Sequence, residues 1–155
     1  MLNLLKTEIQ TTSSFLNNEE LLNNCVNDIQ NKLTINRFRK VGFFSDEFNG
    51  NYMYGKIKIA KSQRMSESLQ TLLKMINETF ETDYNGILVN EYKNGNNFIE
   101  RHRDSKNHPE NGVLIISYGA TRTFNVYDND INIIKEIPLI HGQVLHMGGK
   151  NFIMN

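Results

Sequence analysis

The sequence has very little cysteine, no excess of either charge and no long hydrophobic run. Its single cysteine, Cys25, excludes an internal disulfide and is typical of a reducing compartment. No apolar segment approaches the length of a membrane span, and residues 1–6 lack the basic start and long apolar centre of a signal peptide. We therefore expect an intracellular protein, cytoplasmic or nuclear, with no membrane partner. We also expect a monomer.

The charge balance limits how the protein could bind nucleic acid. Lysine and arginine together number 17, as do aspartate and glutamate, so the formal net charge is zero. That balance argues against binding by bulk electrostatics. Positive charge is instead local, in two clusters that are either phosphate contacts or ordinary solvated surface. They are Lys32, Arg37, Arg39 and Lys40, and Lys56, Lys58, Lys61 and Arg64.

Two stretches have the apolar spacing of amphipathic helices. The first begins after Asn17 or Asn18, either of which can cap it, and has acidic residues in its first turn. The second follows Ser62 or Ser66 as a possible cap. The apolar face of the first comprises Leu21, Leu22, Cys25, Val26, Ile29 and Leu33, and that of the second Met65, Leu69, Leu72, Leu73, Ile76 and Phe80.

Most of the remaining chain has the pattern of short strands. Residues 84–92 alternate so that Asn90 and Tyr92 share one face. Residues 113–118 are nearly all apolar, which favours burial on both faces. Further strands are predicted over residues 123–127, 131–139 and 143–147. Helices followed by many short strands predict an α+β domain, a double-stranded β-helix or jelly roll backed by N-terminal helices.

A polar segment, residues 90–108, concentrates side chains capable of chemistry. Phe98 and Ile99 are expected to open a strand, on which His102 and Asp104 would point to the same side. An imidazole and a carboxylate so placed provide two ligands of a 2-His-1-carboxylate Fe(II) site. Taken alone, such an HxD pattern is more often a solvated charged edge.

A second segment, residues 37–61, is rich in aromatic residues and glycine. Residues 49–51, Asn-Gly-Asn, predict a hairpin whose second strand would present Tyr52 and Tyr54 on one face. Two rings beside a guanidinium form a stacking platform for a nucleobase. The alternative is that both rings pack on the sheet, as other strand aromatics do.

Together these motifs resemble the AlkB family of Fe(II)/2-oxoglutarate dioxygenases. An N-x-Y-x-x-G run precedes the HxD pair, and a G-x-x-R-x-F run follows the next strand; they comprise Asn90, Tyr92 and Gly95, and Gly119, Arg122 and Phe124. Residues 37–61 are similar to the nucleotide-recognition lid of the DNA-repair members. That similarity rests on Arg39-Lys40, Phe44-x-Asp46 and Tyr52-x-Tyr54-x-Lys56.

The resemblance implies a jelly-roll oxygenase that uses Fe(II), 2-oxoglutarate and O2. The implied reaction is oxidative demethylation of N-alkylated bases in DNA or RNA, with release of formaldehyde and succinate. The implied site residues are His102 and Asp104 for the metal, Asn90 and Tyr92 for 2-oxoglutarate, and Arg39, Tyr52 and Tyr54 for the nucleic-acid substrate.

We expect a single dioxygenase domain over residues 1–155. Its parts would be an N-terminal helical support (1–36), the lid (37–61), a backing helix (62–83) and the jelly-roll core (84–155). By the family's spacing the third iron ligand, a histidine, falls just after Asn155, and neither His141 nor His146 matches it, so we assign both structural roles. We therefore expect a fragment whose continuation completes the site, with a naturally short relative as the alternative.

Two other functions stay open. One is a 2-oxoglutarate oxygenase of the same fold that hydroxylates a protein side chain. The other is a non-catalytic module that binds nucleic acid and has lost the metal site.

Overall fold

The computed structural model describes residues 10–12, 18–54, 56–102, 112–128 and 130–147. These residues divide into two compact units, one made of the described residues between 20 and 107 and the other of those within 1–19 and 108–155. Within the described ranges, no helix is long and apolar enough to cross a membrane. In chain order the elements are β1 (Gln10–Thr12), α1 (Glu19–Ile29), β2 (Thr34–Asn36), β3 (Arg39–Phe44), β4 (Asn51–Tyr54), β5 (Ile57–Gln63), α2 (Glu67–Phe80), β6 (Ile87–Glu91), β7 (Val113–Ile116), β8 (Arg122–Tyr127), β9 (Ile133–Leu139) and β10 (Val144–Met147).

Both predicted helices are confirmed. Helix α1 buries Leu22, Cys25 and Ile29, three members of its predicted apolar face. Helix α2 begins after Ser66, whose side chain accepts a hydrogen bond from the Leu69 N–H at 3.2 Å. The first-turn N–H groups of a helix have no partner within it, so this cap fixes where the helix begins.

Strand β3 organises the sheet of the unit formed by residues 20–107. It pairs antiparallel with β2 and β6 and, over its last two residues, parallel with β5, which in turn pairs with β4. Val41 and Phe43 alternate onto one face, where they form a core cluster with Ala60. Tyr52 and Leu88 pack against that cluster.

Gly42 of β3 is required by a close approach. A Cβ atom at this position would lie 2.6 Å from the Cδ2 atom of Leu33. Glycine therefore lets Leu33 pack directly against the strand backbone.

The other unit contains a three-stranded sheet in the order β1-β10-β7 and a β8–β9 hairpin. Ile137, Leu139 and Leu145 form its core cluster. The predicted strands in this part of the sequence are confirmed with small changes at their ends. The prediction that β7 is buried on both faces is confirmed only in part, since its four residues are half-buried on both faces.

Two local predictions were wrong. Residues 49–51 are not the turn of a hairpin, because Asn51 already begins β4, which pairs with the later strand β5. The Gly50 carbonyl accepts a hydrogen bond from the Ser62 N–H at 2.7 Å. Residues 98–102 form no strand. Side chains of the β2–β3 turn contact Phe98 and Glu100 of this segment, a pairing that strand periodicity cannot predict.

The two helices and ten strands of the described ranges agree with the α+β class. Asp104, one of the two predicted metal ligands, lies outside those ranges. The side chain of Tyr54 is likewise not described.

Candidate active site

Two predicted site residues, Arg39 and Asn90, meet on one face of the β3–β6 pair. Asn90 lies directly opposite Val41, and Arg39 precedes Val41 by two residues, so all three side chains share that face. The Arg39 Nε–H donates to Asn90 Oδ1 at 2.8 Å, and both residues are half-buried. A residue predicted to contact the substrate and one predicted to contact 2-oxoglutarate are therefore hydrogen-bonded to each other.

Tyr52 lies on the same face of this sheet. It pairs with Ala60 across β4 and β5, and its ring packs on Phe43 with centroids 4.9 Å apart. The ring is half-buried, so the packing role is confirmed while part of the side chain faces solvent. Stacking on a nucleobase stays a prediction for Tyr52, and also for Tyr54.

The imidazole of His102 is oriented by its own segment. His102 is exposed, and its Nδ1 atom lies 2.7 Å from the Glu100 carbonyl oxygen. In the tautomer in which Nδ1–H donates to that carbonyl, Nε2 carries the lone pair that a metal requires. Histidines that bind metals usually make such a second hydrogen bond, so this geometry fits an iron ligand.

The segment before His102 is held by the two-residue turn between β2 and β3. Arg37 Nη1 lies 3.1 Å from Glu100 Oε2, and the Phe38 ring stacks on that of Phe98. Arg37 has a φ of +55°, which L-residues seldom adopt. Two consecutive turn residues thus contact the approach to His102.

The other two predicted ligands are Tyr92, for 2-oxoglutarate, and Asp104, for the metal. Tyr92 follows β6 directly and is half-buried. Asp104 lies outside the described residues, and within those residues no group of three or more histidine, cysteine or acidic side chains could hold a metal. The donor chemistry of His102 with Asp104 suits Fe(II).

Comparisons with known proteins decide the family. A sequence model of the 2OG-Fe(II) oxygenase superfamily matches residues 7–151. The chain belongs to the 2OG-Fe(II) oxygenase superfamily. Because this superfamily uses Fe(II), 2-oxoglutarate and O2, the expected cofactor set is confirmed at the level of the family.

The chain is also similar to curated AlkB proteins, which supports the AlkB-like resemblance. Alpha-ketoglutarate-dependent dioxygenase alkB homolog 3 of Homo sapiens is 30% identical over 111 residues, which are 63% of this chain and 38% of that protein. The Mus musculus protein of the same name is 29% identical over the same shares. The chain thus spans about two fifths of the curated relatives it matches.

Asp46, a residue of the predicted lid motif, accepts two hydrogen bonds from the segment that begins α2. Asp46 Oδ1 accepts from the Met65 N–H at 2.9 Å and Oδ2 from Gln70 Nε2 at 2.7 Å. The Met65 N–H, then the Gln70 amide, hold the pKa of Asp46 below its usual range. The Asp46 carboxylate therefore links residues 37–61 to the start of α2 by two hydrogen bonds.

His141 has the structural role assigned to it. Its Nδ1 atom accepts from the Gly119 N–H at 2.9 Å, so the ring proton is on Nε2, which donates to the Glu19 carboxylate at 2.9 Å. Gly119 has a φ of +92°, which favours glycine at this motif position. His146 lies in β10 opposite Leu114 and is half-buried.

Proposed function

We propose that this protein is an Fe(II)/2-oxoglutarate-dependent oxidative demethylase of N-alkylated bases in DNA or RNA. The observation that carries the proposal is its similarity to the two alkB homolog 3 proteins. Supporting it, Arg39, Tyr52 and Asn90 share one face of the sheet around β3. We also propose that residues 1–155 form a single domain with the jelly-roll fold.

The metal and co-substrate roles go to residues whose chemistry fits them. His102 and Asp104 would hold Fe(II), and Asn90 and Tyr92 would donate hydrogen bonds to a carboxylate of 2-oxoglutarate. When bound, iron with 2-oxoglutarate and O2 supplies the oxidant that hydroxylates the N-alkyl carbon, with succinate and CO2 as co-products. The hydroxymethyl group then leaves the base nitrogen as formaldehyde.

The substrate role requires a surface that accepts an unstacked base. A base inside a duplex must leave the stack before its alkyl group can be oxidised, and aromatic side chains compensate for the lost stacking. The exposed part of Tyr52 is suited to that role, with Tyr54 as a further candidate. The guanidinium of Arg39 has four N–H donors besides the Nε–H that contacts Asn90, and they suit a phosphate or base edge.

The test uses the full-length protein, Fe(II), 2-oxoglutarate and an oligonucleotide that carries N-methylated bases. We expect succinate and formaldehyde from the wild-type protein and from Glu136→Gln, an exposed control on β9. His102→Ala and Asp104→Ala should release neither product. Succinate production retained by Asp104→Ala would refute the metal assignment.

Other outcomes identify the alternative functions. Oligonucleotide binding without iron-dependent succinate would indicate a non-catalytic nucleic-acid-binding module. Succinate without formaldehyde, together with unchanged oligonucleotide binding by Tyr52→Leu, would indicate an oxygenase that acts on a protein. Tyr52→Phe is the matched control, because it keeps the aromatic ring against Phe43.

A further inference from the structure

The contact between Arg39 and Asn90 fixes how the asparagine amide is turned. A guanidinium only donates hydrogen bonds, whereas an amide has one accepting oxygen and one donating nitrogen. With the Arg39 Nε–H 2.8 Å away, the Asn90 oxygen must face the arginine. The Nδ2 group, with its two N–H donors, consequently faces away from Arg39.

The backbones on either side of this contact are also held in place. Asn90 pairs with Val41, and Arg39 pairs with Asn36 at the β2–β3 turn. Val41 is fully buried and anchors β3 between the two pairings. Thus the contact joins two strands whose register is fixed, and rotation of the amide about its last torsion is its main remaining freedom.

We propose that Arg39 is a positioning residue for the co-substrate, which orients the Asn90 amide so that its N–H donors point toward a carboxylate of 2-oxoglutarate. This inference rests on the proposed function. A carboxylate accepts hydrogen bonds and is repelled by an amide oxygen. If the Asn90 amide were free to turn, its oxygen could face the carboxylate, and 2-oxoglutarate would bind more weakly. Removal of the Arg39 donor should therefore weaken 2-oxoglutarate binding about tenfold, the factor that corresponds to one net hydrogen bond.

The experiment is a double-mutant cycle on binding without turnover. The 2-oxoglutarate Kd of the full-length protein is measured by calorimetry with Mn(II) in place of iron, for the wild type, Arg39→Met, Asn90→Ala and the double variant. Methionine keeps an unbranched chain of similar length but donates no hydrogen bond. Lys40→Ala is the matched control, because Lys40 is the next cation along β3 and points to the opposite face.

We expect Arg39→Met and Asn90→Ala each to raise the Kd about tenfold, and the double variant to bind no more weakly than Asn90→Ala. Lys40→Ala should stay within about twofold of the wild type. Arg39→Gln is measured in parallel, so that the cycle does not depend on a single substitution. Thermal unfolding of each variant shows which ones are folded.

Two results would overturn the inference while leaving the proposed function intact. One is an unchanged Kd in the folded Arg39 variants. The other is an equal loss from the Arg39 change in the presence and absence of Asn90, which would mean that the arginine acts by its charge alone. Absence of 2-oxoglutarate binding by the wild-type protein would instead refute the proposed function.

Discussion

The rings of Phe38 and Phe98 are stacked with centroids 4.6 Å apart and an angle of 16° between their planes. Phe38 lies in the β2–β3 turn, and Phe98 opens the segment that leads to His102. Both rings are nearly half exposed, at 47% and 44%. A stacked pair so open to solvent buries little area, so its main effect is to hold the segment rather than to build a core.

Phe38→Ala should loosen the approach to His102. Loss of the aromatic pair is expected to lower the free energy of unfolding by about 0.5–1.5 kcal/mol. It should also weaken Mn(II) binding several-fold, which calorimetry on the full-length protein would measure. The control is Phe48→Ala, since Phe48 is similarly exposed but packs edge-on against Phe43. Equal Mn(II) affinity in the two variants would contradict this role of Phe38.

The carboxylate of Asp46 should make stability depend on pH in the acid range. Its pKa is lowered by hydrogen bonds from the Met65 N–H and Gln70, so the contribution is full above the ordinary pKa of 3.8 and is lost as the pH falls through the lowered value. The difference in unfolding free energy between the wild type and Asp46→Asn should therefore be constant near neutral pH and shrink in acid. Urea titrations at several pH values measure it, with exposed Glu47→Gln as the control.

The thiol of Cys25 should be unreactive in the folded protein. Burial, with a further effect from the Asp28 carboxylate, raises its pKa to about 11, so the reactive thiolate is scarce at neutral pH. Iodoacetamide should label the native protein slowly and the urea-unfolded protein quickly, as followed by mass spectrometry. Raised thiol pKa also implies that stability falls as the pH rises from the ordinary value of 9.0 toward 11. Fast labelling in native buffer would show that α1 opens locally.

Leu145 should be among the most sensitive positions of the unit that contains β10. Its side chain is fully buried against Ile137 and Leu139. Leu145→Ala is expected to lower the free energy of unfolding by about 2–5 kcal/mol, through lost burial and the cavity left behind. Ile134→Ala, on an exposed position of β9, should cost much less. Circular dichroism during urea unfolding measures both, and similar losses would contradict the observed burial.

The sequence predicted helices and strands well where a single apolar periodicity determines which face of the element is buried. Helical spacing identified the buried face of α1 through Leu22, Cys25 and Ile29, and strand alternation placed Asn90 on the face it occupies. Resemblance to a family supplied the candidate ligands, which periodicity alone could not distinguish from a charged edge.

Partners distant in sequence could not be predicted in the same way. Arg39 and Asn90 are 51 positions apart, and nothing in either local pattern indicates that their side chains meet. The parallel pairing of β3 with β5 was missed for a similar reason, since alternation reveals which residues share a face but not which strand lies alongside. Residues 98–102 were wrongly assigned to a strand, because a local pattern does not reveal the contacts that Phe98 and Glu100 make with the β2–β3 turn.

The order of the strands around β3 implies unequal protection along the lid. Among the described residues, β3 has neighbours along both edges, whereas β4 joins this sheet through β5, which pairs with β3 at Phe43 and Phe44. Amide protons of β3 should consequently exchange with deuterated solvent last, and those of β4 much earlier. Tyr52 would then lie on a hairpin that opens readily, whereas Arg39 lies on a strand that exchanges slowly, so the ring proposed to stack on a base would move more freely than the guanidinium proposed to contact the substrate.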